Sequence, residues 1–169
     1  GSEVPELPYA IRLGDATLDL AEEHWQLWLS AFDGAEKANL VAATARLGVE
    51  RRSVDDLFAA GALIELEDVP AANADLFERL RILPTGIGLG NSADERARFR
   101  IALPGIGVRI TTDVRAYHVW RRCDGRVTLA QACRDEAVDA GVAPEVVVAQ
   151  IAVNLSWFLR EGVIYLDAA

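Results

Sequence analysis

The chain has 169 residues, 51% of them hydrophobic and 25% charged, the composition of a globular protein and, at roughly 100–200 residues per domain, of one domain or two small ones. No apolar run reaches the ~18 residues that a spanning helix requires, so no membrane partner is expected and a cytoplasmic location is; the Gly1-Ser2 start reads as a tag-cleavage remnant rather than a signal segment. A formal net charge of -9 disfavours non-specific nucleic-acid binding, which draws affinity from basic side chains that release counterions from phosphates.

Residues 9 to 20, YAIRLGD and ATLDL, alternate apolar and polar around Gly14-Asp15 and predict a small hairpin. Trp25, Trp28, Leu29 and Phe32 then recur at spacings of three and four, one apolar face of a helix expected to pack in the core. A second helix is predicted from Ala35 to Leu47, stopped by Gly48, and a short third helix from Ser53 to Gly61, followed by a strand over ALIEL, residues 62–66. Residues 69–93 read as a junction: Pro70, a brief amphipathic helix around Leu76 to Leu80, Pro84, and the glycine-rich GIGLGN at 86–91 as a strand or turn. That glycine-rich stretch has neither the lysine nor the following helix of a phosphate loop, and the chain carries no GxSxG or Walker motif. No nucleophile, base or metal set converges in the sequence, so an enzyme is not expected and no cofactor is implied.

The second half is more clearly punctuated. RFRIALPG and GVRITTD alternate about Pro104-Gly105 and predict a β-hairpin over residues 98–112 with Arg98, Arg100 and Arg109 on its polar side. Thr112 or Asp113 caps a helix in which Val114, Tyr117, Trp120 and Cys123 share a face; Thr128 followed by Gln131 forms a capping box for the next, which Gly141 ends. Pro144 opens a long last helix that runs to about Glu161 and stops at Gly162. Two apolar stripes run along it: Val147, Ile151, Leu155 and Phe158, which suffices for a core, and Val146, Val153 and Trp157, which requires a second cover, either the other half of the chain, a partner or a ligand. Cys123 and Cys133 lack metal spacing and are expected as buried reduced thiols, and His24 and His118, each close before a Trp, have no convergent third ligand for zinc. Residues 1–93 carry seven basic and sixteen acidic side chains and residues 94–169 ten of each, so the whole net charge lies in the first half. Arginine outnumbers lysine sixteen to one, the bias of GC-rich, bacterial coding.

The two halves repeat one order, a helix with Trp closed by Asp-Gly, two further helices and a strand after Gly, around Trp28 and again around Trp120. That order predicts an α+β, helix-rich fold of two tandem winged helix-turn-helix units, each a small antiparallel hairpin, three helices and a short C-terminal strand, at residues 3–68 and 94–169. From RFRIALPG through Trp120, Cys123-Asp124-Gly125 and TLAQACRDEA to LREGVIYL, residues 94–169 resemble the PqqD-like family, the precursor-peptide recognition elements of ribosomal-peptide natural product pathways; residues 9–68 look like a degenerate copy with Asp33-Gly34 in place of Cys-Asp-Gly. The resemblance implies that a precursor's leader adds as a strand along Val108, Arg109, Ile110, Thr111 and Thr112 and rests on a helix wall of Val147, Gln150, Ile151, Asn154 and Phe158, with Arg98 and Arg100 favouring acidic leaders at the rim. The expected function is therefore a non-catalytic adaptor that presents a precursor peptide to a modifying enzyme. A winged-helix transcription regulator is the first alternative, although the last helix has no polar or basic run toward its start; a structural subunit that forms a homodimer, or scaffolds a maturation complex, through Val146, Val153 and Trp157 is the second.

Overall fold

The computed structural model of the chain describes residues 9–13, 15–32, 35–67, 69–91 and 94–169. It divides into two compact units, Gly1–Glu65 and Leu66–Ala169. Seven α-helices and small antiparallel sheets among the described residues make the chain α+β.

In the first unit, β1 (Tyr9–Leu13) and β2 (Ala16–Leu20) pair antiparallel, Tyr9 opposite Leu20 and Leu13 opposite Ala16. Three helices follow, α1 (Glu22–Leu29), α2 (Lys37–Leu47) and α3 (Arg52–Ala59). Glu22 and Glu23 lie in the first turn of α1, at the positive end of the helix dipole, and Gly48 ends α2 in the left-handed region at φ 70°. Ile11, Leu20, Leu27, Leu40, Ala43, Val54 and Leu57 form the core. The aromatic face of α1 departs from expectation. Leu27 is its buried residue, while Tyr9, Trp25 and Trp28 stack in series along the flank and Phe32 meets Trp28 edge-on, with Leu29 and Phe32 exposed. Large rings satisfy one another in this ladder and cover the core rather than fill it. Residues 62–66 form no strand. Backbone groups at the start of that segment are already engaged: the Ala62 and Leu63 amides donate to the Leu57 carbonyl, and the Trp28 indole donates to the Ala62 carbonyl at 2.9 Å. Asp33-Gly34 lies outside the described residues.

The second unit begins with a 3-10 turn at Pro70–Asn73 and a single-turn helix α4 (Ala74–Phe77), then β3 (Leu80–Pro84), β4 (Ile87–Asn91), β5 (Arg98–Leu103) and β6 (Gly107–Asp113). Helices α5 (Val114–Arg122), α6 (Leu129–Ala140) and α7 (Pro144–Arg160) and strand β7 (Ile164–Ala168) complete it. β3 pairs antiparallel with β7, and β4, β5 and β6 form a three-stranded antiparallel sheet in that order. The stretch read as a junction thus supplies two strands to this unit. The helix expected to reach Leu80 ends at Phe77, whose side chain is wholly buried, because Leu80 starts β3 opposite Ala168. In and just before β4, glycine is required by packing: a Cβ on Gly88 would sit 2.4 Å from the Tyr117 hydroxyl, and one on Gly86, which precedes the strand, 2.6 Å from Ile101 Cγ2. The glycines let this strand lie close against α5.

Caps follow the sequence signals with one difference. Asp113 accepts from the amides of Arg115 and Ala116, and Thr128 from that of Gln131. The Gln131 side chain turns away to Asp135 at 2.6 Å, so the capping box is half formed. Phe77, Ile82, Ile101, Ile110, Val119, Leu129, Val147, Leu155, Val163 and Ile164 are the largest fully buried side chains of the unit. Both units run a hairpin into three helices, β1-β2-α1-α2-α3 and β5-β6-α5-α6-α7.

Candidate functional site

β6 is an edge strand: β5 pairs with one side of it, and no described strand pairs with the other. An edge of unpaired amides and carbonyls is a template for another chain unless something blunts it. Here the register carries an irregularity. Ile101 lies opposite Ile110 and Ala102 opposite Val108, so Arg109 is an extra residue bulged out of the ladder. Bulges bend a strand and re-aim a side chain. The Arg109 guanidinium reaches Glu161, the residue that closes α7, at 2.7 Å, which ties the bulged part of β6 to the end of the long helix.

Along β6 the side chains divide by face. Ile110 and Thr112 point into the core, being 1% and 2% exposed, whereas Val108 is 48% exposed. Thr111 is half-buried. The expected arginine rim is largely spent on the protein itself. Arg98 donates to the Thr111 carbonyl at 2.9 Å and lies 3.7 Å from Glu95. Arg100 donates to the Asn91 carbonyl at 3.2 Å, clipping β5 to β4. Charge-assisted bonds of this kind stiffen the sheet.

On α7, three of the five expected wall residues belong to the core: Val147, Ile151 and Phe158 are 0%, 2% and 2% exposed. Gln150 and Asn154 are half-buried, and Asn154 donates to the Gln150 carbonyl at 2.7 Å. The outward apolar stripe is the second one seen in the sequence. Val146 and Val153 are 48% and 69% exposed and Trp157 is half-buried, one helical face that also carries Gln150. Among the described residues the two valines of this stripe are left exposed and Trp157 is covered only in part. Any chain lying along α7 therefore meets Val146, Gln150, Val153 and Trp157, and reaches Val147, Ile151 or Phe158 only by opening the core.

A separate cavity of about 240 Å³ is lined by His118, Arg121 and Arg122 on α5. Behind it Glu136, its side chain only 3% exposed, meets His118 Nδ1 and Arg122, both at 3.3 Å, while Arg122 also bonds Asp139 at 2.5 Å. Two carboxylates share one guanidinium, and Glu136 is held by His118 as well, so the network suits an α5–α6 fastening. In the first unit His24 Nε2 lies 3.1 Å from Ser53 Oγ. Among the described residues no three His, Cys, Asp or Glu side chains gather as metal ligands, and no helix is long and apolar enough to cross a membrane.

No family model, curated protein or solved structure matches this chain. What the site can do must come from its own chemistry. Cys123 and Cys133 are buried free thiols, and burial pushes both up to about 12, so neither is a nucleophile near neutrality. Glu161 escaped the sequence reading, although it carries a signal: a carboxylate at the end of a helix opposes the dipole, where a cation is the favoured choice.

Proposed function

We propose that the second unit is a PqqD-like recognition element of winged-helix type that captures the leader of a ribosomally made precursor peptide and presents it to a modifying enzyme. The observation that carries this reading is an open strand edge among the described residues, β6, joined at its bulge to a helix, α7, whose outward stripe exposes Val146 and Val153 and leaves Trp157 half-buried. Strand addition on such an edge draws affinity from backbone hydrogen bonds, and the exposed apolar stripe of α7 is a second surface on which guest side chains can rest. No group in this site has to perform chemistry. The first unit, with the same hairpin and three helices, is a reduced copy of the plan, giving a tandem winged-helix chain in which the second copy binds.

Fluorescence anisotropy with labelled leader peptides from short reading frames beside the gene, and duplex DNA as control, tests this. Saturable leader binding with DNA inert is the expected result, on the order of micromolar or tighter. Val153→Asp, at an exposed position, is expected to abolish it while the far-UV spectrum holds, and Val108→Pro, which removes the Val108 amide from the edge strand, is expected to abolish it as well. Ile151→Asp does not serve, because Ile151 is in the core. Tight DNA binding that collapses with salt would make the chain a regulator, and silence from both ligands would leave a scaffold subunit.

A further inference from the structure

We infer that Glu161 is a built-in competitor for Arg109, so that the β6 edge selects strands carrying their own carboxylate opposite the bulge. This deepens the peptide-docking reading above and rests on it. Three observations converge. First, the register slip gives β6 one residue more than its partner at Arg109, which turns that side chain toward α7. Second, the carboxylate it meets stands at the C-terminal end of α7, the negative end of the helix dipole, where an acid is disfavoured unless a cation neutralises it. Third, Arg98 and Arg100, the other hairpin arginines, are bound to backbone carbonyls of β6 and β4. Arg98 also lies 3.7 Å from Glu95, but Arg109 is the hairpin cation paired at hydrogen-bond distance, 2.7 Å, with a side chain able to give way.

The pair is of the exchangeable kind. Its side chains are 41% and 22% exposed, so water screens it and an incoming carboxylate need not cross a desolvated barrier. A guest carboxylate would arrive on a strand already held by backbone bonds, and would therefore act at high local concentration against Glu161. A guest with Gln at the same place leaves the Arg109–Glu161 pair intact and gains nothing from it. An acidic residue in register with the bulge becomes the discriminating feature of the guest.

The test uses the full chain and two labelled peptides of about twelve residues, alternating Val and Thr between Gly-Ser ends, that differ only in a central Glu or Gln. Wild type is expected to prefer the Glu peptide. Glu161→Gln should tighten the Glu peptide by about 3- to 5-fold, the range a partly exposed pair allows, and leave the Gln peptide unchanged. Arg109→Gln should erase the preference while the Gln peptide still binds. Both residues are partly exposed, and an unchanged melting temperature confirms that the variants fold. If both peptides bind and their ratio is the same in all three proteins, Glu161 is no competitor. If neither peptide binds any of them, β6 is not a docking edge, and the parent reading falls together with this one.

Discussion

Glu136 is the residue whose environment constrains this fold most sharply. Its carboxylate is almost fully buried between α5 and α6, held by Arg122 and by His118 Nδ1. Removing one partner from a buried pair leaves a charge that neither water nor protein satisfies. Arg122→Met is therefore expected to destabilise the second unit by about 2 kcal/mol, less than a fully buried pair would lose because Arg122 is itself partly exposed. Arg122→Met with Glu136→Leu should recover much of that loss, because the stranded charge goes with its partner; urea unfolding of the two variants checks the order. The cysteines make a second prediction at this scale. Both thiols have folded pKa values raised to about 12 from 9.0 by burial. For a group raised in the folded state, the stabilising contribution is whole below the unfolded value and is lost as pH climbs through the folded one. Stability should accordingly decline between about pH 9 and 12, and Cys123→Ala/Cys133→Ala should flatten that decline. At pH 8 the native protein should resist a thiol reagent that labels it fully in urea.

At the scale of elements, local punctuation and distant packing divide what the sequence discloses. Helices α5, α6 and α7 were legible because local signals mark their ends: Asp113 and Thr128 cap by bonds within one turn, Gly141 takes the left-handed φ that stops α6, and Pro144 supplies the fixed φ of a first helical turn. β3 and β4 were not. β3 finds its partner β7 at the far end of the unit, and nothing local announces that pairing. β4 reads IGLGN, poor in strand formers, and its Gly88 answers to Tyr117 and Trp120, residues of a helix that lies later in the chain. The site divides similarly. Helical periodicity separated the inner stripe of α7 from the outer one, yet the family likeness took Val147, Ile151 and Phe158 from the inner. The bulge at Arg109 breaks the alternation on which strand reading depends, so its link to Glu161 appears only in three dimensions. Gly88→Ala tests the packing account of β4. The new methyl would meet the Tyr117 hydroxyl, which also accepts the Gly90 amide at 3.2 Å. A loss of about 1–3 kcal/mol is expected from overpacking, read as a lower urea midpoint, with α5 fluorescence shifting as Trp120 moves.

For the whole molecule the open matter is why a binding unit should carry an acidic companion. Residues 1–65 hold five basic and twelve acidic side chains, whereas residues 66–169 hold twelve and fourteen. Each unit has its own buried core, the first around Leu27, Leu40, Val54 and Leu57 and the second around Ile101, Ile110, Leu129 and Leu155. Residues 66–169 are therefore expected to fold alone with a single cooperative transition. If the second unit holds the docking edge, this fragment should bind a leader as well as the full chain does, because every residue of the proposed edge and stripe lies within it. For an acidic leader it should bind more tightly at low salt, since the negative field of the first unit is gone, and the two affinities should converge near 0.5 M salt, where the screening length is only about 4 Å. A fragment that folds but no longer binds would mean that the first unit contributes part of the site. Equal affinities at every salt concentration would show that its charge is directed at something other than the guest, and the presented enzyme would then be the partner to examine.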